Sequence, residues 1–166
     1  MVLVDASHPD QWARSDDGRA AQRANEQSAV VAPWLARLGL LRLTSFVQVD
    51  PDLPAAQQAQ LRALVNTSKL WDSYSAVFRV TDRTMAEVRQ TRPLGKLPLA
   101  VLTATMHGLP PGLEAQHQQL QQELAALSTN ATQQIVDGAT HVSLINNREQ
   151  SAVTSAAIQR VVVAVR

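Results

Sequence analysis

Cysteine is absent from all 166 residues, which excludes disulfides, thiolate metal sites and cysteine nucleophiles and fits a reducing, cytoplasmic compartment. No apolar run approaches the roughly 20 residues of a membrane span, and no charged-then-apolar leader opens the sequence. Neither sign of charge dominates. Fifteen basic and fourteen acidic side chains leave a net charge of +1, which argues against nucleic acid or an anionic membrane as the main partner. There is no basic stripe and no aromatic ladder. Around His117 no second histidine or carboxylate lies at a metal-binding offset apart from Glu114, a poor match, so His117 reads as a solvated helix residue. Neither a metal nor a cofactor is expected.

What is present suffices for one ordinary core, since 45% of the residues are hydrophobic. Met1 to Asp5 (MVLVD) is an apolar β-type run ending in an acid. Domains seldom open inside a core strand, so this start reads as the interior of a longer fold. From Gly18 to about Arg92 apolar residues recur at helical spacing. Pro33 is expected to open a short helix ending near Gly39, because proline inside a helix loses a hydrogen bond and crowds the preceding turn. Asp52 and Pro54 are expected to start a second helix. A third runs from Thr67 or Ser68, with Leu70, Trp71, Tyr74, Val77, Phe78, Met85 and Val88 on one broad face. Leu99 to Thr103 reads as a strand buried on both faces, and Met106 to Gly112 as a loop. Leu113, Leu120, Leu124 and Leu127 then mark the stripe of a glutamine-rich helix ending near Ser128. Gln133 to Val136 is a short strand, followed by an Asp137-Gly138 turn that delivers His141. The segment from Ser151 to Val165 has strand-like composition, yet Val153, Ala157, Val161 and Val165 repeat every four residues. Alternation of strand and helix favours a helix there, because parallel strands need crossovers.

In this order VLVDASHPDQ, a helical insertion, PLAVLTA, QQLQQELAALS and QQIVDGATHVSLI with a terminal helix resemble the C-terminal half of an α/β-hydrolase fold protein. The resemblance covers nearly the whole chain and is nearest the capped esterases, epoxide hydrolases and dehalogenases. It implies a partial α/β fold of three parallel strands, the family's sixth to eighth, with residues 18–92 inserted as a helical cap in one domain spanning 1–166. On spacing alone His141 reads as an ordinary loop histidine. The resemblance places it where the family carries its catalytic base. The family's acid often follows the seventh strand, but Thr103 to Gly112 holds no Asp or Glu; others of the family carry it at the end of the sixth strand, where this chain has Asp5. Asp5 is therefore the implied partner of His141, with Asp137 ranked second. The same resemblance makes His8, Trp34, Trp71 and Phe78 candidates for the substrate pocket under an apolar cap, although each aromatic reads more readily as cap core and His8 as an incidental loop histidine.

The departures are as informative. No G-x-S-x-G nucleophile elbow occurs, and the oxyanion-hole segments and first five strands of the family have no counterpart. The chain alone is therefore expected to be inactive. A small apolar ester, an epoxide or a haloalkane would be the substrate of the complete protein, according to whether a serine or an aspartate is the nucleophile. Three arrangements stay open: an incomplete reading of a hydrolase, a binding or assembly module, or half of a split enzyme that docks its other half, or a second copy, along a free strand edge.

Overall fold

The computed structural model describes residues 1–43, 49, 51 and 53–165. It divides into an α/β unit, Met1–Gln11 with Gln90–Arg166, and a helical unit, Trp12–Arg89. The α/β unit holds a three-stranded parallel sheet in the order β1 (Val2–Val4), β2 (Leu99–Ala104), β3 (Ala131–Val136). Strand β3 begins earlier than Gln133. Ala131 and Thr132 pair with Leu99 and Ala100, so the register with β2 draws two more residues into the ladder than local apolarity suggests.

All six residues of β2 are buried, because helices cover both faces of the sheet. Leu99 and Val101 pack with Leu124 of α4 (Pro111–Ala125) on one face. Ala100 and Leu102 pack with Ala157 of a C-terminal helix, Arg148–Ala164, on the other. This alternation is the two-residue period of a strand, and each large aliphatic side chain so buried contributes about 1.5–3 kcal/mol. Helix α4 starts at Pro111, whose missing N–H costs nothing in a first turn, and it ends at Ala125, earlier than Ser128. The Ser128 hydroxyl instead donates to Leu97 O at 2.6 Å and ties the start of β2 to that of β3. After β3 a short helix α5 (Ser143–Asn146) leads into α6, the C-terminal helix already described. The valine-rich end is thus helical, capped by Asn147, whose side chain accepts from Glu149 N at 3.0 Å and Gln150 N at 3.2 Å.

The helical unit contains α1 (Asp16–Arg37), α2 (Ala55–Val65) and α3 (Ser68–Arg89). Ser15 caps α1 by accepting from Gly18 N at 3.1 Å, and Asp16 and Asp17 complement the positive end of the helix. Pro33 does not open a helix; it lies inside α1. Its ring deprives Ala29 O of the usual i→i−4 donor, and the Ser75 hydroxyl of α3 donates to that carbonyl instead. Pro54 precedes α2 as expected, while Asp52 lies outside the described residues. The face of α3 is narrower than the sequence suggests. Trp71 is buried with Ala32, Ala36 and Leu41, whereas Tyr74, Val77 and Val88 are exposed. The stripe that packs runs through Trp71, Ser75, Phe78 and Met85, because a single partner helix covers only part of an amphipathic surface.

A candidate active site at the carboxyl ends of the strands

Asp5, His107 and His141 each follow the carboxyl end of a different strand, β1, β2 and β3 in turn. In parallel α/β sheets this is the end where ligands bind. Asp5 still donates its backbone N–H to Leu102 O at 2.7 Å, extending the β1 ladder by one bond. Its φ of 47° then turns the chain sharply away from the sheet. That left-handed conformation is uncommon for a non-glycine residue and directs the carboxylate across the ends of β2 and β3.

The carboxylate is the centre of the site, with its side chain only 1% exposed. Oδ1 accepts from Ala104 N at 3.1 Å and faces His117 Nε2 at 3.0 Å. Oδ2 faces His107 Nε2 and His141 Nδ1, both at 2.9 Å. Behind it, His107 Nδ1 lies 2.8 Å from Glu114 Oε1 on α4. Burial alone would raise the Asp5 carboxyl, but hydrogen bonds from His117, His141, His107 and the Ala104 amide outweigh it and hold the group well below the usual carboxylate range. Burial opposes the charged form of His107 as well, yet Asp5 and Glu114 together move its proton affinity above the ordinary histidine value.

Because an ionised carboxylate only accepts, the contact to Asp5 fixes the proton of a neutral His141 on Nδ1 and leaves Nε2 as the basic atom. The His141 side chain is 65% exposed, and Nε2 makes no hydrogen bond among the described residues. The loop that carries His141 is held by Gly138, whose φ of 68° makes the turn, and by Ala139 O, which accepts from Thr105 N at 3.1 Å and Met106 N at 2.9 Å. Asp137, the second candidate acid, does not reach the imidazole. It takes the Thr105 hydroxyl at 3.3 Å and helps lock the turn.

The sequence-predicted pair Asp5 and His141 is therefore in contact, and two further histidines join it. His117 is not a solvated residue: its side chain is 14% exposed and aimed at Asp5. The expectation of no metal-type cluster also changes, because Asp5, His107 and His117 offer ligand atoms within 4.8 Å of one another. A signal for His117 was available. It fills the gap in the stripe Leu113–Leu120–Leu124, where it occupies an inward helical position. His107 had only its place beyond a strand end to recommend it, and Glu114 gains meaning only once His107 is placed.

The other candidates fall elsewhere. His8 does not join the cluster. Its Nδ1 accepts from Asp10 N at 3.0 Å, and its Nε2 faces Glu123 of α4 at 3.7 Å. Trp71, in the helical unit, is core, with its indole N–H donating to Val65 O at 2.8 Å. Trp34 and Phe78 line a groove of about 490 Å³ in that unit, where Arg37 stacks 5.2 Å from the Trp34 ring and pairs with Asp72 at 2.8 Å. Compared with protein families, curated proteins and solved structures, the chain matches none.

Proposed function

We propose that this chain supplies the general base and the orienting acid of a hydrolytic site of the α/β-hydrolase type, with His141 as base and Asp5 as acid. The observation that carries the reading is the 2.9 Å contact from His141 Nδ1 to the buried Asp5 carboxylate, with the other ring nitrogen directed away from it. In such a site Nε2 takes the proton of an attacking serine hydroxyl or water, and Asp5 stabilises the imidazolium that forms. The proton then passes to the leaving alkoxide as the carbon–oxygen bond breaks. The electrophile fitting this chemistry is a small apolar ester or a related group. The nucleophile and the oxyanion donors come from polypeptide outside these 166 residues, since the sequence carries no nucleophile elbow.

Reading the DNA upstream of Met1 is the first test. An in-frame segment encoding five strands and a nucleophile elbow is expected. A stop codon with no such segment upstream, and no neighbouring gene that encodes it, would sink the proposal. With that segment restored, His141→Ala should abolish turnover of short nitrophenyl esters, and Asp5→Asn should lower kcat by about 10⁴-fold, the loss typical of a triad whose acid is neutralised. Asparagine is the informative replacement because it tolerates a left-handed φ at least as well as aspartate. Wild-type turnover in either variant removes that residue from the site.

A further inference from the structure

We propose that Asp5, His107 and His117 form a binding site for a divalent transition-metal ion of the zinc class, with Glu114 orienting the His107 ring. The inference goes beyond the hydrolytic reading and does not depend on it. The donor set is two imidazoles and one carboxylate, a borderline set that suits Zn²⁺, and three protein ligands leave a coordination position open.

The ligand atoms already stand close to the spacing a metal requires. Atoms bound tetrahedrally to Zn²⁺ at about 2.0–2.2 Å lie about 3.3–3.6 Å from one another. Here Asp5 Oδ1 is 3.0 Å from His117 Nε2 and Asp5 Oδ2 is 2.9 Å from His107 Nε2, and one ligand atom from each of the three residues can be chosen so that all lie within 4.8 Å of one another. The site is also enclosed, with the His107, His117 and Asp5 side chains 11%, 14% and 1% exposed.

A second observation calls for positive charge at this place, on the ring itself or on an ion bound to it. Both ring nitrogens of His107 lie against carboxylate oxygens, Nδ1 on Glu114 at 2.8 Å and Nε2 on Asp5 at 2.9 Å. A neutral imidazole has one proton to donate, so it satisfies one of these contacts and sets a lone pair against an anion in the other. A metal ion on the Nε2 side resolves the conflict: Glu114 takes the Nδ1 proton, and the Nε2 lone pair binds the ion. This carboxylate–histidine–metal arrangement is the usual support of a metal-binding imidazole. The alternative solution is a second proton on His107, and the experiment separates the two.

The test titrates Zn²⁺ into the full chain labelled with ¹⁵N-histidine, following the ring nitrogens by NMR and the heat of binding by calorimetry. One ion per chain is expected, with the Nε2 resonances of His107 and His117 moving to the metal-bound position. His117→Ala should weaken binding at least ~100-fold and Glu114→Gln about 10–100-fold, while His8→Ala leaves it unchanged. The proposal is overturned if His107 keeps both ring protons at saturating Zn²⁺, or if the His107 and His117 resonances stay fixed while heat is released. It is equally overturned if His8→Ala, rather than His117→Ala, removes the binding. The NMR reading uses the unaltered chain, so a variant that unfolds does not decide the outcome. Metal binding is read without substrate and ester turnover in the presence of chelator, so either proposal can fail without the other.

Discussion

Asp5 combines three features that seldom occur together in one residue: a left-handed backbone, near-complete burial and a carboxylate facing three imidazoles. Each costs free energy if left uncompensated, and the hydrogen bonds to the carboxylate are the compensation. The consequence is a pH dependence with two limbs. Asp5 is held below its unfolded value, so the stability it contributes is full above the unfolded aspartate pKa of ~3.9 and is lost as pH falls below it. His107 is shifted in the opposite direction. Its contribution is full below the unfolded histidine value of ~6.5 and disappears as pH rises through its higher folded value. Urea midpoints of the chelator-treated chain, measured from pH ~3 to ~9, should therefore fall at both ends. His107→Gln should flatten the alkaline limb and preserve the acid one. An alkaline limb of unchanged slope in that variant would show that His107 does not carry it.

At the scale of elements, the helical unit depends on a substitution of hydrogen bonds at Pro33. Ala29 O loses its helical donor to the proline ring and receives the Ser75 hydroxyl from α3 instead. Ser75→Ala should lower the stability of this unit by about 1 kcal/mol, the net worth of a typical hydrogen bond. In a Pro33→Ala background the helix regains its own N–H donor to that carbonyl, and the same substitution should cost clearly less. Equal costs in a double-mutant cycle of urea midpoints would uncouple the two residues. The elements whose burial is periodic or continuous were legible in the sequence: the doubly buried Leu99–Ala104 strand, the leucine stripe of α4 and the four-residue repeat of α6. Pro33 was misread because the bond that tolerates it comes to Ala29 O from Ser75, 46 positions away from that carbonyl. The same limit hid the histidine cluster. Asp5 meets His107 across 102 positions and His117 across 112, separations at which local patterning says nothing about contact. Asp5 and His141 were paired only through the resemblance to a known order of strands and loops; spacing alone left His141 an ordinary loop histidine. Nothing in that order called for two more imidazoles on the same carboxylate.

At the scale of the whole molecule the α/β unit presents a sheet that ends at β1. Among the described residues this strand pairs only with β2, leaving one side of its backbone without a strand partner. Large apolar side chains stand exposed on the same unit, with Val163 70% and Ile145 67% accessible. An edge strand with free N–H and C=O groups is a template for pairing with another chain, and exposed apolar surface adds a driving force of about 25 cal/mol per Å² covered. In the proposed hydrolase that edge would receive the neighbouring strand of the nucleophile-bearing segment. The isolated chain should therefore self-associate, its sedimentation coefficient rising with concentration. Adding the nucleophile-bearing segment should return it to a species of fixed mass. Ile145→Lys combined with Val163→Lys should weaken self-association if apolar contact drives it, and leave it intact if strand pairing does. A chain that stays monomeric and unfolds in one cooperative step at every concentration would show that this edge needs no partner and would count against the proposed second segment.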